Sequence, residues 1–125
     1  MYGTSTHEEM SFDLEQRGEV TVITVAGEVD IFTASRLREA LVEHIAAGRL
    51  HFVVNMERVT CLDSTAPAVL IGAWWRVRDH GGRLDLAGVP GPIRKIFHVA
   101  CLARDFAFYD TTDEALRALT AIPGV

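Results

Sequence analysis

The residues best suited to chemistry in this chain form one short string, Asp63-Ser64-Thr65, immediately before an apolar stretch with helical spacing. A serine in such a place can be a nucleophile, a helix cap or an acceptor of a phosphoryl group. A hydrolytic serine sits in a Gly-x-Ser-x-Gly elbow beside a histidine base. Here the neighbours are Cys61-Leu62-Asp63-Ser64-Thr65-Ala66, and His7, His44, His51, His80 and His98 offer no obvious base. Those histidines also lack the three-to-five-residue spacing of a metal site, so no metal is expected. There is no Gly-x-x-x-x-Gly-Lys-Ser/Thr loop, and Gly88-Val89-Pro90-Gly91 does not complete a Gly-x-Gly-x-x-Gly pattern. Neither a cofactor nor an enzymatic activity is expected. Two readings of Ser64 remain. Asp, Ser and Thr are preferred helix N-caps because their side-chain oxygens accept from free backbone N–H groups, so a plain capping role would account for the string. The same unpaired donors and the positive end of the helix dipole would also accommodate a phosphate, which adds about −1.5 to −2 charges at pH 7.

Other chemistry-bearing side chains point to packing. Cys61 and Cys101 are expected to be reduced, buried small hydrophobes rather than a disulfide or redox pair. Trp74 and Trp75 are adjacent on a helical pattern, so at about 100° per residue both cannot face the core. Trp74 shares the stripe of Leu70 and Val77 and is expected inside. Trp75 falls with Ile71 toward the flank and, if exposed, would be an anchor for a partner.

The elements that must position Ser64 follow from periodicity. Phe12, Leu14 and Gln16 alternate with acids, Arg17-Gly18-Glu19 turns, and Val20–Ala26 is a β-branched run, which together predict a hairpin. Ala34, Leu37, Leu41 and Ile45 predict an amphipathic helix capped by Thr33 and stopped at Gly48. His51–Met56 predicts a short buried strand, and Ser64–Asp79 a helix ended by Gly81-Gly82. Arg83–Ala87 predicts a strand, and Pro90-Gly91-Pro92 opens a helix with Ile93, Ile96, Phe97 and Ala100 inward. Phe106–Tyr109 predicts a last strand. Thr111 and Glu114 have capping-box spacing ahead of a closing helix through Leu116, Leu119 and Ile122. The order ββαβαβαβα implies a single α/β domain with a mixed, mostly parallel sheet and an antiparallel N-terminal hairpin. Sites in such sheets lie at the carboxyl ends of strands, which directs attention to Thr60–Thr65.

Composition narrows the partners. The 125 residues, 49% hydrophobic and 23% charged, can bury one core. Seventeen acids against twelve bases, of which only Lys95 is lysine, leave a net charge of −5, which disfavours phosphate-held nucleic acid and anionic lipid. The longest apolar run, Ala66–Trp75, is about half the ~20 residues of a membrane span. The first residues lack a basic start followed by an apolar stretch, so a cytoplasmic chain is expected. Residues 1–10 read as a flexible tail ahead of a domain over 11–122.

The sequence resembles the STAS family, the domain of bacterial anti-sigma-factor antagonists, from about Phe12 to Leu119. Gly27-Glu28-Val29-Asp30 is similar to that family's Gly-Glu-Leu-Asp, and Asn55-Met56-Glu57 through Leu62-Asp63-Ser64-Thr65 is similar to the strand leading into its Asp-Ser-Ser/Thr-Gly motif. Gly72, Gly81-Gly82 and Ile93-Arg94-Lys95-Ile96-Phe97 continue in register. The resemblance implies a protein-binding module, without catalysis, that captures an anti-sigma factor of the serine-kinase type and so frees a sigma factor. It implies Ser64 as phosphoacceptor, with a phosphatase reversing the modification. Asp63 would support the loop, Thr65 would be the neighbouring hydroxyl, and Asp30 would flank the interface. One departure is Ala66-Pro67-Ala68 where the family usually has Gly-Leu-Gly, which stiffens the first helical turn and adds two methyl groups where a kinase must approach. Two other functions fit the same residues: an interaction subunit of a signalling or lipid-transport complex with Ser64 as a cap only, and a sensor of a small ligand or nucleotide at the helix N-terminus.

Overall fold

The computed structural model of the chain describes residues 10–99 and 106–120. The strands are β1 (Ser11–Arg17), β2 (Val20–Val29), β3 (His51–Leu62), β4 (Arg83–Ala87) and β5 (Phe108–Tyr109). The helices are α1 (Ile31–Ala46), α2 (Ala66–Asp79), α3 (Gly91–Val99) and α4 (Thr112–Thr120). The order is the ββαβαβαβα read from periodicity. The expectations placed on residues 1–9, Ala100, Cys101 and Ile122 lie outside the described residues.

The sheet follows chain order, β1-β2-β3-β4-β5, with β1 antiparallel to β2 and the other pairs parallel. When parallel neighbours follow in sequence, right-handed crossovers deliver every connecting helix to the same face. The two cores obey this. Ala34, Leu37, Leu41, Leu70, Ala73, Val77, Ile93 and Phe97 from α1, α2 and α3 pack with Ile23, Val25, Phe52, Val54, Leu84 and Leu86 on one face. The opposite face buries Val20, Val53 and Ala87 under Ala115 and Leu119 of α4, the helix that follows the last strand and connects to none. Met10, the first described residue, is already part of the larger core.

Several boundaries differ from the periodic reading. β3 does not stop at Met56 but continues to Leu62, with Val59 and Leu62 buried. It pairs with β4 only from His51 to Asn55, whereas its pairing with β2 runs, across register shifts, to Val29↔Leu62. The shifts break strict alternation, which is why the second half did not read as strand. α1 starts at Ile31, and Asp30 rather than Thr33 is its N-cap. β5 is confined to Phe108–Tyr109. At the other end of α1 the expected stop is present: Gly48 has φ 93° and Arg49 N–H donates to His44 O at 2.9 Å, a glycine-dependent helix end. Gly82 is required for a different reason. A Cβ there would overlap the Leu50 carbonyl and lie 2.9 Å from Val77 Cγ1, so only glycine lets the chain enter β4 this close to the segment that leads into β3.

One acid is buried in the sheet. Asp85, 2% exposed, has Oδ2 2.9 Å from Arg83 Nε, and Arg83 Nη2 also donates to the Tyr109 hydroxyl at 3.1 Å. Burial pushes the Asp85 carboxyl above its ordinary 3.8, and the Arg83 charge only partly offsets this. An acid raised in the folded state binds more protons there than when unfolded, so its contribution to stability falls as pH rises from 3.8 through the raised value. Asp85→Asn is therefore expected to flatten that fall: the variant-minus-wild-type difference in urea midpoint should move in favour of the variant as pH increases. A difference independent of pH would refute it.

Candidate functional site

Beyond Asn55 and Ala87 β4 drops away, and past Ala26, where β1 also ends, the sheet narrows to a two-stranded ribbon of β2 and β3 whose tip is the site. Because Val29 pairs with Leu62 and Asp63 N–H donates to Val29 O at 2.8 Å, Asp30 and Asp63 emerge side by side from segments remote in sequence. Each carboxylate is then used by the helix start that follows it. Asp30 Oδ1 accepts from Thr33 N–H at 2.8 Å, and Asp30 N–H donates back to Thr33 Oγ1 at 2.8 Å, a reciprocal capping box. Asp63 Oδ1 accepts from Thr65 N–H at 2.8 Å and from Thr65 Oγ1 at 2.7 Å. Ala66 N–H closes the turn on Asp63 O at 2.9 Å.

These bonds favour the ionised form. The Thr33 backbone N–H holds the Asp30 carboxyl below 3.8, and the Thr65 N–H, then its hydroxyl, do the same for Asp63, where the neighbouring Asp30 charge opposes them. Acids lowered on folding stabilise above the unfolded value and lose that contribution as pH falls through the lowered one. Both turns are thus set at neutral pH, with two negative charges at one tip.

Ser64 is the residue this turn leaves unused. It is exposed, and among the described residues its hydroxyl has no hydrogen-bond partner. The helix expected from Ser64 starts at Ala66, its N-cap Thr65 has φ −87° and ψ −18°, and no side chain caps it. The capping account of Ser64 therefore fails. Asp63 folds the turn, and Ser64 Oγ is presented to solvent. The alanines after it also divide. Ala66 is 0% exposed and belongs to the larger core, and Pro67 is buried in the first turn, so only Ala68 adds a methyl to the outer surface rather than the two expected.

Around the tip lie apolar side chains whose place periodicity did not show. Phe32 is 79% exposed and Ile31 43%, both on the first turn of α1 beside Asp30. On the other flank Val99, 84% exposed, and Ile96 line a cleft of about 350 Å³ together with Ser64 and Lys95. The available signal was an Ile-Phe pair directly after an acidic cap residue, which is poorly placed for solvent unless something covers it.

Two further expectations resolve differently. Cys61 is an exposed free thiol opposite Glu28, because the irregular half of β3 turns it outward. Trp74 is half-buried, edge-on to Phe106 at 6.3 Å and covered by the Arg78 guanidinium at 4.8 Å. Trp75 is 56% exposed, as the angular argument requires, but lies roughly 14 Å along α2 from Ala66 and so away from the tip. Among the described residues no cluster of His, Cys, Asp or Glu could hold a metal ion, and no helix is long and apolar enough to cross a membrane.

One end of the sheet thus brings together two ionised carboxylates, an exposed serine hydroxyl and an apolar rim. The chain belongs to the STAS domain family, whose model matches residues 11–115. It is similar to the anti-sigma-B factor antagonist of Bacillus subtilis (strain 168), 28% identical over 93 residues, which are 74% of this chain and 84% of the relative. Its fold matches that of the anti-sigma factor antagonist SpoIIAA in its unphosphorylated form, with TM-score 0.78 and 25% identity over 90% of this chain and 98% of that one. The Bacillus cell fate determinant SpoIIAA in its phosphorylated form matches with TM-score 0.70 and 25% identity, over 87% and 99%.

Proposed function

We propose that this chain is an anti-sigma factor antagonist whose tip, Asp30, Asp63, Ser64 and Thr65, docks on an anti-sigma factor of the serine-kinase type, releasing the sigma factor. Phosphorylation of Ser64 ends the interaction and a phosphatase restores it. In the forward step Ser64 Oγ attacks the γ-phosphorus of ATP, loses its proton to the kinase site, and ADP leaves. The observation that carries this reading is the exposed, unbonded Ser64 hydroxyl held out by the Asp63 turn inside an apolar rim. The antagonists and the phosphorylated SpoIIAA among its relatives support it.

The test is affinity capture with wild-type chain and Ser64→Ala, with mass spectrometry of the bound proteins and of the Ser64 peptide after incubation with Mg-ATP. An ATPase-type kinase on both baits, and one added phosphate on the wild-type peptide only, is the expected result. A stable partner with no phosphate on Ser64 would instead favour an interaction subunit without a switch.

A further inference from the structure

Among the described residues Ser64 shares its cleft with one cation. Lys95, the only lysine of the chain, stands on α3 and lines the same 350 Å³ space, with Ile96 and Val99 as its apolar wall. Among the described residues Lys95 has no ion-pair or hydrogen-bond partner. Its neighbour Arg94 is engaged elsewhere, with its guanidinium 4.4 Å above the centre of the Phe108 ring. The other charged groups described at the tip, Asp30 and Asp63, are negative and committed to their own turns.

We propose that Lys95 is the internal receptor of the phosphate: a phosphorylated Ser64 pairs with the Lys95 ammonium across the cleft and closes it over Ile96 and Val99. The inference rests on Ser64 being the phosphoacceptor. A lysine is suited to the task because its compact charge rides on a flexible four-carbon stem and can meet a phosphate without a fixed fork geometry. Its consequence is a switch with two parts. The phosphate adds charge beside Asp63, and the ion pair covers part of the apolar rim a partner would use.

The experiment installs phosphoserine at position 64 during synthesis of the full chain and follows the second phosphate ionisation by 31P NMR. Among the described residues the charged groups nearest that phosphate are Lys95 from α3 and, at the ribbon tip, Asp63 with Asp30 close enough to act on it. The acids are unchanged in every variant, so differences report the cation. A nearby cation favours the dianion, so Lys95→Gln should raise the titration midpoint by roughly half to one pH unit, Lys95→Arg should restore most of it, and Arg94→Gln should leave it in place. The Lys95→Gln effect should shrink as salt is added. An unchanged midpoint in Lys95→Gln, or an equal shift in Arg94→Gln, would overturn the assignment. No kinase is involved, so a Ser64 that no kinase modifies would defeat the functional reading while leaving this result standing, and the reverse holds equally.

Discussion

Ser64→Glu is expected to weaken binding of the anti-sigma factor by roughly 30- to 700-fold relative to wild type, with folding stability nearly unchanged. Two terms produce this. The new carboxylate would be covered by a partner within an apolar rim formed by Ile31, Phe32, Ile96 and Val99, so it loses water that the single Lys95 ammonium across the cleft only partly replaces. It would also stand beside Asp63 and near Asp30, whose own charge already opposes ionisation of Asp63. An acidic partner group about 4 Å away would add repulsion of about 1 kcal/mol in water, or about 4 at an effective dielectric near 20. A combined cost of about 2–4 kcal/mol corresponds to the stated range. Stability should be spared because Ser64 is exposed and makes no bond that the turn needs. Isothermal titration with the purified partner measures the affinity, and equal affinities for the variant and wild type would sink the switch. Ser64→Ala serves as the neutral control and should bind like wild type.

Phe97→Ala is expected to destabilise the chain by about 3–5 kcal/mol, a large part of the 5–15 kcal/mol typical of a domain. Phe97 is 0% exposed, and its ring meets Phe106 edge-on at 5.6 Å and Phe108 at 5.8 Å. Those contacts tie α3 to the entry and the body of β5. α3 has nine residues, too few to persist alone, and its buried anchors are Ile93 and Phe97. Removing the ring therefore leaves a cavity and loosens the helix that carries Lys95, Ile96 and Val99. Urea titration should show a midpoint lower by more than about 1 M, since m is about 1–3 kcal/mol per M. A loss below about 1 kcal/mol would mean that the aromatic cluster is not what holds α3. Binding of the partner should weaken as well, even under conditions where the variant is folded, because one flank of the tip is no longer fixed.

The places where periodicity failed to mark an element correctly cluster at the tip. Thr33 looked like the start of α1 because Ile31 and Phe32 spoil the polar signature of a first turn, yet both belong to that turn and stay exposed beside Asp30. The second half of β3 lost its alternation where its pairing with β2 slips, and that slip turns Cys61 outward and extends the ribbon. Ser64 looked like a cap because its residue type permits it, whereas Asp63 performs the folding task. A projecting tip with exposed apolar side chains breaks the local rules that make a core legible.

Asp30 entered as a candidate only through the family resemblance; by itself the sequence determined the element order, the single mixed sheet with its hairpin, and the candidate string Asp63-Ser64-Thr65. All of these depend on interactions within a turn or two of chain: a period of two for strands, 3.6 for helices, and the preference of short oxygen-bearing side chains for helix starts. Tertiary structure alone decided that Asp30 and Asp63 are neighbours, that the tip projects past β4, and that Lys95 faces Ser64 across a cleft. Those juxtapositions follow from strand register and from crossovers that bring α2 and α3 to one face, and neither has a signature in the spacing of nearby residues.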